Sequence, residues 1–396
     1  MNNHKPHIVI LNKGGSFWEG GRQYTRNLVR ALLSLPDDQQ STFDLSLLVN
    51  GQEEVSFYQD FFAKTKICND SNTLQAPFTF SNRFRWKVKR TLGNSLNPRL
   101  EELLCSIGTN FAYPLLTNRL GTQPFKSAEW IPDFQYKHYP QGSNPEEIEG
   151  RKQAFQQIAD NAETIVLSSH HAERDCLELF PQTKDKTFVL QFRVFADDSW
   201  WNYSPNQIIN KYHLPSRYLL VSNTLAPTKN HFVVLEALKI LKERNQSIPV
   251  VFTGDIHDYR NPGYYNKFLS CIHEFGLHDY VRILGMIPKV DQFQLLRGSV
   301  GLLQPSFFEG WHTGVEEARM LGKTIILSDI QVHQEQDPPN RLFFDPHIAE
   351  TLAEQILTVF EADFGEHNLE KETIARQSYL HLQLGYARKF LQLADL

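Results

Sequence analysis

"VGLLQPSFFEGWHTGVEEARMLGKTIILS", Val300 to Ser328, decides the architecture. An apolar run from Val300 to Gln304 gives way to a loop with proline, serine and glycine. The loop leads into "VEEARMLG", a helix that Gly322 is placed to end in the left-handed conformation. A second apolar run, Thr324 to Ser328, follows at once. Strand, loop, helix and strand in this order make a crossover unit of a parallel sheet.

The pattern repeats outward in both directions. Candidate strands of the first half are "HIVIL" (7–11), "LSLLV" (45–49), "FAYPL" (111–115), "AEWI" (128–131), "TIVLS" (164–168) and "FVLQF" (188–192). Those of the second half are "YLLVS" (218–222), "PVVFT" (249–253), "VRILG" (281–285), "VGLLQ" (300–304), "TIILS" (324–328) and "LFF" (342–344). Runs that are nearly continuous in apolar residues mark strands covered on both faces.

The polar, aromatic "ADDSWWNYSPNQIINKYHLPSR" (196–217) separates the two series, and 396 residues exceed one ordinary core. The expected class is therefore α/β with two Rossmann-like, doubly wound domains, 1–200 and 201–374. A helix over 375–396 is free to pack against either. Ligands of such sheets sit beyond the carboxyl ends of the strands, and two domains facing one another leave a cleft between them.

A formal charge of −5 argues against nucleic acid as a partner. Cys68, Cys105, Cys176 and Cys271 have no metal-ligand spacing, and "ADDSW" has no DxD, so no metal is expected. The N-terminal apolar run is too short for a signal peptide, and no stretch reaches about eighteen apolar residues, which predicts a cytoplasmic chain.

Chemistry concentrates after Gln304. Thr313 and Gly314 stand where a helix begins, and free N–H groups with the positive end of the helix dipole favour an anion. A phosphate there would repel Glu309 and Glu317. These carboxylates fit neutral hydroxyls on either side of it, and sugar hydroxyls are the natural donors. The plainer alternative makes Glu309 a solvated loop residue and Glu316 and Glu317 complements of the helix dipole.

The Glu309–Glu317 segment resembles the E-x7-E signature of the retaining glycosyltransferases of family 4, which have the GT-B fold. The likeness extends to "YLLVSNTLAPTKNHFVVLEAL" (218–238), with its lysine-asparagine step, and to the paired glycines of "SFWEGGRQYTRNLVRAL" (16–32). The resemblance implies a nucleotide-diphosphate sugar, UDP- or GDP-linked, as co-substrate and no other cofactor. Glu309 would hold the donor sugar and Glu317 the ribose. Gly310, Trp311, His312, Thr313 and Gly314 would line sugar and diphosphate, and Lys229 would pair with the diphosphate.

Gly20 and Gly21 would let backbone approach phosphate, a plain turn being the other reading. Asn223 stands where many members carry a phosphate-binding arginine, a charge that Arg22 or Arg193 would have to replace. In "EWIPDFQYKHYP" (129–140) Pro132 occupies the usual place of a histidine, leaving Asp133, and after it His138, as acid/base candidates. The catalytic candidates are thus Glu309, Lys229 and Asp133.

The implied acceptor is a glycan, a lipid-linked sugar or a small hydroxylated molecule, with Trp18, Trp130, Tyr136 and Tyr139 as stacking candidates. A GT-B epimerase, a phosphorolytic enzyme and a non-catalytic nucleotide-sugar-binding partner of a glycan-assembly complex are the rivals. Residues 82–99 contain Arg83, Arg85, Lys87, Lys89, Arg90 and Arg99 without an acid. They read as a peripheral contact with the inner membrane face, or as a solvated or acceptor-binding helix.

Overall fold

The computed structural model describes residues 5–14, 18–61, 65–69, 96–117, 123–362 and 368–396. They form two compact units. One comprises Met1–Asp133, Glu149–Arg193 and Leu382–Leu396, the other Phe134–Ile148 and Val194–His381.

The first unit is built on β1 (His7–Leu11), β2 (Asp44–Val49), β3 (Lys66–Asn69), β4 (Phe111–Tyr113), β5 (Lys126–Ile131), β6 (Thr164–Leu167) and β7 (Thr187–Val189). All pairs are parallel, in the order β3-β2-β1-β4-β5-β6-β7. The second contains β8 (Leu219–Ser222), β9 (Val250–Thr253), β10 (Val281–Gly285), β11 (Gly301–Gln304), β12 (Thr324–Ser328) and β13 (Arg341–Phe344). Its order is β10-β9-β8-β11-β12-β13, again parallel. In each sheet the chain winds outward from the first strand and then crosses to its other side. The turning points lie between β1 and β4 and between β8 and β11, and there the loops diverge to leave a crevice.

The apolar runs at the middle of each sheet form strands covered on both faces: Ile8, Val9, Ile10, Val250, Val251, Phe252, Ile325 and Ile326 are all fully buried. Helices His231–Glu243 and Ala349–Glu361 supply Val234, Leu238, Leu352 and Ile356 to the second core. β4 stops at Tyr113 because Pro114 has no N–H for the ladder. The sequence reading missed β3, a four-residue strand that, among the described residues, pairs with β2 alone.

Three boundaries differ from expectation, the first being the passage to the second unit at Val194 rather than at residue 201. Phe134–Ile148 belongs with the second unit, not the first. The cause is aromatic: the rings of Tyr139 and Phe307 stack at 6.1 Å, those of His138 and Phe308 at 5.3 Å. The last helix begins at Leu369, where the Asn368 side chain caps it by accepting from the Lys371 N–H at 2.9 Å. Up to His381 it belongs to the second unit, where Glu372 pairs with Arg297 at 2.8 Å. From Leu382 it belongs to the first, where Phe390 meets Tyr113 at 5.3 Å between ring centres.

Gly20 and Gly21 have a packing cause that the sequence did not reveal. A Cβ on Gly21 would lie 2.6 Å from the Trp18 ring and 2.7 Å from the Lys13 carbonyl oxygen, and one on Gly20 would lie 3.1 Å from Trp18 Nε1. The Trp18 ring, seated on this glycine pair, stacks on Trp130 at 5.6 Å, and Trp130 stacks on Tyr24 at 3.8 Å. Gly21→Ala is expected to cost about 1–3 kcal/mol through overpacking. A lower urea midpoint at unchanged m-value would register it.

Of the basic segment 82–99 only Leu96 to Arg99 are described, so the membrane reading lies outside the described residues. Among the described residues no helix is long and apolar enough to cross a membrane.

Candidate functional site

The turning point of the second sheet gathers most of the expected residues. β8 and β11 are neighbours, with Leu219 opposite Gly301 and Leu220 opposite Leu302. The loops leaving their carboxyl ends are tied by the Phe307 N–H, which donates to the Thr228 carbonyl at 2.9 Å. Pro227–Lys229 forms a short 3₁₀ turn, and Asn230, left-handed at φ +52°, redirects the chain into helix His231–Glu243. That corner delivers Lys229 to Glu309.

Lys229 Nζ donates to Glu309 Oε1 at 2.7 Å. The same oxygen accepts from Ser306 Oγ at 2.6 Å and Gln304 Nε2 at 3.1 Å. Oε2 takes part in none of these bonds. Glu309 is only 7% exposed. Burial raises its pKa, but the Lys229 charge, His312 and the Lys229 and Ser306 hydrogen bonds outweigh that and bring it down to about 2. The group is a carboxylate with one oxygen locked and the other open.

His312 caps the helix Thr313–Met320. Its Nδ1 accepts from the Val315 N–H at 3.1 Å, which puts the ring proton on Nε2, where it donates to Asn223 Oδ1 at 3.0 Å. Burial lowers its pKa to about 3, so the ring is neutral. Asn223 Nδ2 donates in turn to Gln304 Oε1 at 3.0 Å. Asn223 is therefore a strut that orients His312, in the place where a cation was sought.

Gln336 brackets the His312 peptide, accepting from its N–H at 3.2 Å and donating to its carbonyl at 3.1 Å. Fully buried Glu316 accepts from Gln336 at 3.2 Å and from Tyr379 at 2.9 Å. Gly314 is required because a Cβ there would lie 2.8 Å from His312 Cε1. Trp311 is buried, Gly310 and Thr313 half-buried. Thr313 and Gly314 open the helix, so their N–H groups have no intrahelical acceptor. His312→Ala is expected to remove the cap at a cost of about 1–2 kcal/mol, read from urea unfolding.

Glu317, 7% exposed, pairs with Lys289 Nζ at 2.5 Å. Sequence reading missed Lys289. Its signal was positional: it starts helix Lys289–Gly298 just beyond the carboxyl end of β10, as Lys229 precedes a helix beyond β8. Arg22, considered as a replacement cation, is held in the first unit by Glu54 at 2.7 Å and Glu53 at 3.2 Å.

The structure thus brings together Lys229, Asn223, Glu309, Gly310, Trp311, His312, Thr313, Gly314 and Glu317 within the second unit. Asp133, Gly20 and Gly21 belong to the first. Asp133 is half-buried just past β5. A second carboxylate escaped notice there: Glu129, 5% exposed, accepts from its neighbour's N–H at 2.8 Å and pairs with Lys13 at 2.9 Å.

Two ammonium groups, unpaired helix amides and two carboxylates with spare oxygens can accommodate an anion flanked by hydroxylated groups.

Residues 206–376 match the family model described as "Glycosyl transferases group 1". The chain is similar to the O-antigen chain mannosyltransferase B of Escherichia coli, 24% identical over 218 residues that cover 54% of this chain and 55% of the relative. The match thus spans about half that relative's length. A glycosyltransferase from Rickettsia africae superimposes with a TM-score of 0.67 at 17% identity, covering 99% of this chain and 98% of the other. Anabaena HepE, solved in complex with UDP and glucose, gives 0.67 at 14% identity, covering 99% and 100%. Topology and these likenesses agree: the chain has the GT-B fold of two Rossmann-like domains, and its residues 206–376 carry the match to the group 1 glycosyl transferases.

Proposed function

We propose that the protein is a retaining glycosyltransferase of the family 4 kind, which moves a sugar from a UDP- or GDP-linked donor to a hydroxyl of a saccharide or saccharide-lipid acceptor. The observation that carries the reading is the Lys229–Glu309 pair beside the opening of helix Thr313–Met320. The likeness to an O-antigen mannosyltransferase and to a UDP-binding protein supports it.

The diphosphate lies on the Thr313 and Gly314 amides, and Lys229 turns part of its hydrogen bonding from Glu309 to a phosphate oxygen. Oε2 of Glu309 accepts from a sugar hydroxyl, and Glu317 from the ribose. As the anomeric carbon parts from the diphosphate oxygen, negative charge grows on the leaving group, and Lys229 with the helix amides stabilises it. The acceptor oxygen bonds to that carbon on the face the diphosphate leaves, and its proton passes to the departing phosphate. Asp133 is the candidate for assisting that proton. Lysines and amides meet the charge, so no metal takes part in this scheme.

A thermal-shift panel tests the reading. Nucleoside diphosphates should raise Tm more than nucleosides, and slow nucleotide release from one donor sugar should accompany binding. Binding without any release would instead identify a non-catalytic nucleotide-sugar-binding protein.

A further inference from the structure

The second unit also carries a groove of about 590 Å³ that the scheme above does not use. Its volume lies within the range of ligand sites, roughly 300–1,000 Å³. Phe307 lines it, its ring near-parallel to that of Tyr139 at 6.1 Å and 15° and to that of His347 at 5.1 Å and 26°. These near-parallel rings are bordered by Asp329 and Asp345, both exposed. Asp329 follows β12 and Asp345 follows β13, so the groove lies beyond carboxyl ends of the same sheet.

Each aspartate has one oxygen engaged and one to offer. Asp329 Oδ1 accepts from Gln334 Nε2 at 2.6 Å, and Asp345 Oδ1 accepts from the His347 N–H at 2.8 Å. The Oδ2 atoms share in neither bond. Carboxylates repel phosphate, so the lining opposes a second nucleotide. Nor do Asp329, Asp345 and His347 gather three metal-ligating atoms within 4.8 Å of one another. What they match is a neutral, hydroxyl-rich ligand with apolar C–H faces: the rings cover the faces, and the carboxylates accept from the hydroxyls.

We propose that this groove binds saccharide units of the acceptor remote from the reacting hydroxyl, so that the protein selects an oligosaccharide over a monosaccharide. The inference rests on the glycosyltransferase reading. Phe307 joins the two sites: it lines the groove and stands two residues before Glu309, in the loop whose N–H is fastened to Thr228. Length-dependent binding energy is thereby delivered to the turn that holds the donor.

The test titrates manno- and gluco-oligosaccharides of one to five units against the full chain by saturation-transfer NMR, alongside Tyr139→Ala and Asp345→Asn variants. Affinity should rise with length in at least one series. Each variant should weaken the longer members by roughly tenfold, as expected for one lost ring contact or charge-assisted hydrogen bond, and leave the monosaccharide unchanged. Retention of the nucleoside-diphosphate rise in Tm certifies that the variants are folded. Affinity independent of length, longer members unaffected by both substitutions, or preferential binding of inorganic phosphate to the groove would each overturn the proposal. If nucleotides bind and donors are hydrolysed while oligosaccharide binding ignores the groove, only this inference falls. If no nucleotide binds and no donor is consumed, the functional reading falls with it.

Discussion

Lys229→Ala should reduce kcat at least about 10²–10³-fold, the loss seen when one preorganised donor to a developing charge is removed. The substitution deletes the ammonium that faces the leaving diphosphate and takes from Glu309 its nearest opposite charge, 2.7 Å away. Donor affinity should fall as well, by a smaller factor, because the ammonium already contacts phosphate in the ground state and binds it more strongly as charge builds on the leaving group. Stability should drop by about 2 kcal/mol, less than for a fully buried pair, since the Lys229 side chain is 24% exposed.

The pH dependence supplies a second signature. Glu309 has a folded pKa of about 2 against an ordinary 4.5. A depressed carboxyl pKa contributes stability that is complete above the ordinary value and is lost as pH falls toward the folded one. In the parent protein Tm should therefore decline between about pH 4.5 and 2. Without Lys229, burial pushes the carboxyl upward, and this part of the decline should shrink. An unchanged kcat together with an unchanged acid limb would contradict the role given to Lys229.

Glu309→Gln should separate the two halves of the site. The amide keeps the shape and a partner for Ser306 or Gln304 but removes the charge that accepts from the donor sugar. A charge-assisted hydrogen bond contributes about 1.5–3 kcal/mol, so kcat/KM should fall roughly 10–150-fold. Nucleoside diphosphate alone should bind at least as tightly as before, because Lys229 no longer divides its hydrogen bonds with a carboxylate. Isothermal titration with the nucleotide and steady-state kinetics with the donor read the two quantities. Lost nucleotide binding with intact turnover of bound donor would sink the assignment.

The legibility of this chain follows from where its information lies. Parallel strands covered on both faces are announced by local apolar runs, so Val250–Thr253 and Thr324–Ser328 were visible in the sequence. Glu309, Thr313 and Gly322 were visible too, because a loop, a helix start and a left-handed stop at φ +64° are written in consecutive residues. What escaped depends on pairs distant along the chain. Lys289 acquires meaning only opposite Glu317, and Glu129 only beside Lys13.

Context also changed the meaning of residues that were noticed. Gly20 and Gly21 fit either a close approach of phosphate or a plain turn by sequence, and the structure adds a packing reason, the Trp18 ring that lies against both. Asn223 stands where many members of the resembled family carry an arginine, and the structure makes it a strut under His312. Phe134–Ile148 changed units because its rings find partners in Phe307 and Phe308, which no local pattern encodes.

A crystal grown with the nucleoside diphosphate that raises Tm most tests the central claim directly. The account predicts phosphate oxygens within hydrogen-bonding distance of Lys229 Nζ and of the Thr313 and Gly314 amides, with Glu317 on the ribose. A nucleotide bound elsewhere, with Lys229 still held only by Glu309, would contradict it.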